Sequence, residues 1–257
     1  MITIKTEEEI KILADGGRIL AEVLKNVAKE AKAGVSTAHL NKVARDLIFM
    51  FGAKPAFEGY QPAGAAKPYP CALCASLNNV VVHGVPDDQV ILKSGDVLKL
   101  DLGIKYKNLF TDAAITLIVD PDQKRDKEKI NLLSATEKSL ELGLAQVRTG
   151  NYVGDIGAAI SGYVKSHGFS VVEALVGHGV GYAVHEEPNV PNYGKSGFGF
   201  ELKEGMVLAI EPMVTIGSGE VRKSADGFGY ETIDDSFSAH FEHTVVVAED
   251  GCQVLTK

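Results

Sequence analysis

The sequence predicts an α+β fold in which helices cover a curved, mostly antiparallel sheet built as two related halves. Three observations point there. Four segments carry apolar residues at helical spacing, six stretches of strand length are rich in Val, Ile, Leu and Thr, and the first half of the chain corresponds to the second.

The first helix opens at Thr6-Glu7-Glu8-Glu9, which has the form of a capping box, and runs through Ile10, Leu13, Gly17, Leu20, Leu24 and Val27. After Gly34, Ser36 is the cap of a second helix whose stripe is Leu40, Val43, Ala44, Leu47 and Phe51 and whose stop is Gly52. Residues 125–147 read as a third helix through Ile130, Leu133, Leu140 and Leu144. A fourth follows Ile156, Ile160, Tyr163 and Val164 to Gly168. Gly34 and Gly52 are 18 residues apart, as are Gly150 and Gly168, and the offset of 116 sets Leu40 on Ile156 and Ala44 on Ile160. A single domain over 1–257 with an internal repeat relating halves around 1–120 and 121–257 is expected, with an active site between them.

The strand-like stretches are residues 79–83, 97–104, 113–119, 170–176, 206–216 and 243–248. Val207–Ile210 is apolar without alternation, as in a strand covered on both faces. The stretch from Gln61 to Pro68 is too short for a linker and reads as an insertion at a pocket rim.

Composition narrows the function classes. Lys plus Arg number 26 against 34 Asp plus Glu, a net charge of −8, which disfavours nucleic acid as the main ligand because phosphate neutralisation needs clustered cations. No apolar run approaches the roughly 18 residues of a membrane helix, and the acidic start is unlike a signal peptide, so a cytoplasmic protein with no membrane partner is expected. Cys71, Cys74 and Cys252 are too few for a disulfide framework and are read as reduced.

The chemistry-bearing residues begin with Asp101 and Asp112, on either side of a polar turn at 105–108. In a hairpin whose facing residues have numbers adding to 213, the two aspartates are direct cross-strand neighbours. Buried together, such carboxylates share a proton or hold a cation. A register shifted by one or two residues would instead leave one of them solvated in the turn.

Gly177-His178-Gly179-Val180-Gly181 lacks the third glycine and capped helix of a dinucleotide fingerprint, and four residues after His185 stands Asn189, which excludes a zinc-protease helix. What remains is a loop with free space beside His178 and a second imidazole at His185. Glu211 and Glu242 sit on apolar strands, where a glutamate is seldom buried unless paired or metal-bound. Asp101, Asp112, Glu211 and Glu242 supply four negative charges that two divalent ions would neutralise. A serine-hydrolase elbow and a Walker loop are absent, and Cys71-Ala72-Leu73-Cys74 has no second cysteine pair for structural zinc.

Asn78 to Pro86 around His83, the Asp101/Asp112 hairpin, Gly177-His178-Gly179 through His185-Glu186-Glu187-Pro188, Ile210-Glu211-Pro212 and Glu242-His243-Thr244 resemble, in order and spacing, the bacterial type I methionine aminopeptidases. The resemblance implies a pita-bread fold, two pseudo-symmetric halves around a dinuclear centre, and removal of the initiator methionine from nascent polypeptides. It implies that Asp101 chelates one divalent ion, that His178 and Glu211 bind the other, and that Asp112 and Glu242 bridge them. The ions would be Co, Mn, Fe or Zn. His83 and His185 would contact substrate, Glu211 would relay a proton, and Phe57, Tyr60, Tyr69 and Cys74 would form the methionine pocket. A monomer that docks on the ribosome is the expected working form. An X-Pro aminopeptidase of the same fold and a non-catalytic binding module are the alternatives; the latter class typically loses ligands. The 31 residues from Glu211 to Glu242 leave no room for the type II insertion. Departures from the pattern are Gly103 for a common Thr, Val184 for an aromatic, no Trp near Tyr230, and the Gln61 to Pro68 insertion, all bearing on pocket shape.

Overall fold

The computed structural model describes residues 2–62 and 64–257. Met1, at the head of the acidic start, and Ala63, inside the insertion from Gln61 to Pro68, lie outside the described residues.

Four helices form, α1 (Glu7–Glu30), α2 (Thr37–Met50), α3 (Lys127–Leu144) and α4 (Val153–Ser166). The box at the start of α1 closes both ways: Glu9 N–H donates to Thr6 Oγ1 at 3.3 Å and Thr6 N–H to Glu9 Oε2 at 2.8 Å. α3 is shorter than its apolar pattern, because the buried Asp126 carboxylate accepts from Asp122 N–H and pairs with Arg125 and Lys129, which holds the entry as a turn. α2 and α4 each have 14 residues and start 116 apart. The glycines that flank them match in conformation, Gly34 and Gly150 at φ +90° and +85°, Gly52 and Gly168 at +73° and +79°.

The main sheet has nine strands, every pairing antiparallel. Its path runs Lys54–Pro55, Val97–Tyr106, Leu109–Ile118, Glu242–Ala248, Val207–Ile210, Gly177–Gly179 and Glu186–Val190, with Cys74–Leu77 and Gly251–Val254 paired alongside. Two three-stranded sheets flank it. One joins Ser238–His240, Met213–Thr215 and Ser170–Val171; the other joins Val221–Lys223, Tyr230–Thr232 and Val80–Val82.

Strand periodicity decides which face meets the helices. Leu98, Leu100, Leu102 and Ile104 pack with α1 and α2 through Leu20, Leu24, Leu40 and Ile48. In the second half Leu208, Ile210, Val245 and Val247 pack with α3 and α4 through Leu132, Leu140, Ile156 and Ile160. Residues of the other parity, Asp101, Asp112 and Glu242 among them, therefore point to the opposite face.

Three expectations are corrected. The hairpin pairs Gly103 with Asp112 and Asp101 with Ala114, so facing numbers add to 215 rather than 213. Lys107 and Asn108 both take positive φ, 45° and 70°, and make the two-residue turn whose twist matches the flanking strands. Because the shift is two residues, both aspartates keep the same face and become diagonal rather than direct neighbours. Next, Gly177–Gly179 is a strand, not an open loop: a Cβ on Gly177 would lie 2.4 Å from Ala209 O, and one on Gly179 2.3 Å from Glu187 O. The glycines admit neighbouring backbone instead of leaving space. Finally, the 206–216 stretch divides at Glu211-Pro212, where proline has no N–H for the ladder, and the 170–176 stretch keeps only Ser170–Val171.

One buried lysine crosses between the halves. Lys99, 1% exposed, donates from Nζ to Asn78 O at 2.7 Å and to Ser238 O and Oγ at 3.3 and 3.2 Å. Among the described residues no helix is long and apolar enough to cross a membrane.

Helix α1 is seated on the C-terminal segment at Gly17, where a Cβ would fall 2.1 Å from Leu255 O. Gly17→Ala, a change that favours an exposed helix by about 1 kcal/mol, should here destabilise the protein by about 1–3 kcal/mol through overpacking. Urea denaturation midpoints of the two proteins check the sign.

Candidate metal centre

Two adjacent rows across the main sheet assemble the site. The first runs Cys74, Asp101, Ala114, Glu242, by the pairs Cys74–Asp101, Asp101–Ala114 and Ala114–Glu242. Glu211 follows one step beyond the His243–Ile210 pair. The second runs Gly103, Asp112, Thr244, Ala209, His178. Thr244 Oγ1 joins its halves by accepting from Asp112 N–H at 2.9 Å and donating to Asp112 O at 2.7 Å. Ala114 and Ala209 stand between the acidic and imidazole side chains, and their small size leaves the centre of the face open.

The donor atoms of Asp112, His178 and Glu242 lie within 4.8 Å of one another, and those of Glu211, His240 and Glu242 form a second such group. His178 Nδ1–H donates to Gly179 O at 2.9 Å. A carbonyl only accepts, so the tautomer is settled and Nε2 presents a lone pair. That lone pair faces Glu211 Oε1 at 3.5 Å. Asp112 Oδ1 and Glu242 Oε1 are buried with no hydrogen-bond partner among the described residues. Lone pairs turned toward one another in a buried site are repulsive unless a proton or a cation lies among them, and this donor set suits divalent metal.

Electrostatics follow the same logic. Burial first, then the Asp112 carboxylate beside it, push Asp101 well above the usual carboxylate range. Asp112 is raised to about 7 by burial, with the N–H of Ala113 working against the rise. Glu211 and Glu242 are driven up by burial and by neighbouring carboxylates. The imidazoles go the other way: burial lowers His83 to about 4, His178 to about 3, and His185 below its ordinary value. Neutral imidazoles and proton-holding carboxyls are the state of such a face without cations.

All eleven site residues expected from the sequence line one cavity of about 750 Å³: Phe57, Tyr60, Tyr69, Cys74, His83, Asp101, Asp112, His178, His185, Glu211 and Glu242. Its apolar end is a cluster of Ala56, Phe57, Cys74 and Val184, flanked by Tyr60 and Tyr69. Gly103 belongs to this end, since a Cβ there would meet the Phe57 ring at 2.7 Å. Tyr69 is fixed by donating to Gly84 O at 2.9 Å, and Tyr60 Oη lies 2.8 Å from His185 Nδ1. Glu186 turns away to Lys5 at 2.8 Å and ties the start of the chain to the His185 loop.

Three participants escaped the sequence reading. Lys223 and Phe228 line the same cavity from the Val221–Lys223 hairpin and its turn. His240 lies beneath Glu211, its Nε2 3.3 Å from Oε2. Its position two residues before Glu242 was no same-strand signal, because the strand Ser238–His240 ends before Glu242 opens another in a different sheet.

The sequence profile of metallopeptidase family M24 matches residues 11–249. Methionine aminopeptidase 1 of Bacillus subtilis is 41% identical over 257 residues, covering 100% of both chains. The methionine aminopeptidase of Aquifex aeolicus is 42% identical over 259 residues, 100% of this chain and 99% of that one. The crystal structure of methionine aminopeptidase from Thermotoga maritima superposes with a TM-score of 0.94 at 39% identity over 100% of both chains. A prolidase from Pyrococcus furiosus shares the fold, with a TM-score of 0.75 at 23% identity over 99% of this chain and 65% of that one.

Raised pKa values mean that the four carboxyls bind more protons in the folded, metal-stripped protein than in the unfolded chain, so their own contribution to stability is present below the ordinary carboxylate range and, for Asp112, lost as pH rises through about 7, while the depressed imidazoles contribute with the opposite sign. A divalent cation displaces those protons, and its stabilising effect should therefore grow with pH. The thermal shift on adding Mn²⁺ should increase between about pH 5 and pH 8, and Asp112→Asn should flatten that slope. Melting curves with and without Mn²⁺ across the pH series are the check.

Proposed function

Because the chain belongs to metallopeptidase family M24, we propose that it is a methionine aminopeptidase, hydrolysing the first peptide bond of a polypeptide and releasing its N-terminal methionine. The observation that carries this reading is the convergence of Asp101, Asp112, His178, Glu211 and Glu242 on the helix-free face, with lone pairs turned toward one another.

Two divalent ions would balance the four carboxylates. Asp101, Asp112, His178, Glu211 and Glu242 would hold them, Asp101 toward one and His178 and Glu211 toward the other, with Asp112 and Glu242 shared; Mn, Fe, Co and Zn all suit mixed carboxylate and imidazole donors. When bound, two such ions supply a hydroxide at neutral pH by bringing the pKa of water from 15.7 toward about 7, worth roughly 12 kcal/mol at 1.36 kcal/mol per unit.

The remaining work belongs to the protein's own groups. A Tyr60 O–H donated to His185 Nδ1 would put the ring's proton on Nε2, where it can be donated into the cavity. His83 is held by its left-handed backbone, φ +59°, against Tyr230. Both imidazoles are neutral near pH 7, so each donates one hydrogen bond, to the developing oxyanion or to the scissile amide, without adding charge. Glu211, pushed up by burial and by Asp101 and Asp112, can take a proton and return it to the leaving amine. Phe57, Tyr60, Tyr69 and Cys74 surround the methionine side chain with rings and a thiol, which a flexible thioether packs against well. The substrates are nascent chains in the cytoplasm, and the working unit is a monomer.

Met-Ala-Ser should be cleaved by the Mn²⁺-loaded protein and an X-Pro peptide should not; the reverse preference would favour the same-fold X-Pro enzymes. Asp101→Asn should abolish turnover of Met-Ala-Ser while circular dichroism stays unchanged. Gly103→Thr should displace Phe57 and raise KM for methionyl peptides more than it lowers kcat, read from steady-state kinetics.

A further inference from the structure

His240 is a buried imidazole at this centre to which the reading above gives no task. It is 1% exposed, and among the described residues neither ring nitrogen has a hydrogen-bond partner. Leaving two such atoms buried and unsatisfied is costly, so the ring has work to do. Its backbone is pinned from both sides. Thr116 Oγ1 accepts from His240 N–H at 2.9 Å and donates to His240 O at 2.6 Å, while Met213 pairs opposite. The ring is therefore held in place under Glu211.

The Glu211 carboxylate lies between two imidazoles, one at each oxygen: His178 Nε2 is 3.5 Å from Oε1 and His240 Nε2 is 3.3 Å from Oε2. These nitrogens are chemically different. The His178 proton is committed to Gly179 O, which leaves Nε2 as a lone pair. His240 has no such commitment, and a carboxylate oxygen only accepts, so attraction requires the proton on His240 Nε2. At 3.3 Å the pair is within reach but not aligned, and a turn of the ring that points Nε2–H at Oε2 makes the charge-assisted bond of about 2.7–2.9 Å.

We infer that His240 is a positioning residue for the metal centre: its Nε2–H holds Oε2 of Glu211 and thereby turns Oε1 toward His178 Nε2. The inference rests on the M24 reading of the site. Its chemistry is that of a hydrogen-bonding partner to a ligating carboxylate, a group whose loss typically weakens metal binding or activity 10–100-fold.

The test compares wild type with His240→Leu, which removes the donor, and His240→Gln, which restores an N–H but is a poor metal ligand. Metal-stripped proteins are titrated with Mn²⁺ by calorimetry, and Met-Ala-Ser kinetics are measured at saturating Mn²⁺. His240→Leu should bind Mn²⁺ about 10–100-fold more weakly, and at saturation should lose kcat with KM little changed. His240→Gln should recover most of both. His240→Met replaces the leucine variant if that one does not fold. Wild-type Mn²⁺ affinity in the apolar variant overturns the inference. So does a glutamine variant as impaired as the leucine one, which would make His240 a direct ligand. Wild-type protein that neither binds Mn²⁺ nor cleaves the peptide fails the functional reading itself, and the role of His240 falls with it; that result is distinct because no variant is needed to see it.

Discussion

Repulsion among four carboxylates buried on one face of a sheet is the constraint on which the rest of this structure depends. Two like charges 4 Å apart repel by roughly 4 kcal/mol at an effective dielectric constant near 20. The fold brings oxygens of Asp112 and Glu242, and of Glu211 and Glu242, within 4.8 Å and sets Asp101 beside Asp112, all buried. Their side chains cannot swing into water, since strand pairing fixes each Cα and helix packing fixes the opposite face. The site must therefore hold protons or cations. The neutral imidazole of His178, with its proton turned to Gly179 O, presents a lone pair that either a carboxyl proton or a cation can take.

This constraint explains features that look unrelated in the chain. Ala114 and Ala209 are small where larger apolar residues would add burial, because each stands in a row of metal donors. Gly177 and Gly179 let the His178 strand enter between Val207–Ile210 and Glu186–Val190, so that the imidazole arrives at the right depth. Thr244 closes the polar groups of Asp112 with its hydroxyl and no charge.

Much of this was legible in the sequence because period and parity are local properties. The apolar stripes of Leu20 to Val27 and of Ile156 to Val164 announced their helices, and four acids on apolar strands announced the centre. The hairpin register was legible only to its parity: alternation says which face Asp101 and Asp112 share, but the turn at Lys107 and Asn108 sets which residues oppose. A glycine's meaning was equally hidden, since open space and tight backbone approach both call for one, and only the Ala209 and Glu187 carbonyls distinguish them. His240 stayed obscure because the chain leaves one sheet at His240 and joins another at Glu242, so their shared direction is a tertiary fact.

The position of the site within the repeat completes the argument. The helix pairs build two separate apolar cores, one on α1 and α2 and one on α3 and α4. On the helix-free side apolar clusters join them, Val81 and Val82 with Val172 and Met213 and Phe57 and Cys74 with Val184, and so do polar links: the Thr244–Asp112 bonds, Lys99 Nζ spanning Asn78 and Ser238, and Thr116 clasping the His240 backbone. Each of these polar links lies within two residues of Asp101, Glu242 or His240, or on Asp112 itself, or across the strand pair that carries them. The matched lengths of α2 and α4 and the matched glycine conformations support reading the halves as one repeated unit. In such a unit the apolar cores can be duplicated, whereas the seam is formed once. Asp101 and Asp112 come from one half, and His178, Glu211 and Glu242 from the other. A cation bound there is attracted to both halves at once, so the chemistry of the centre and the cohesion of the fold draw on the same charges.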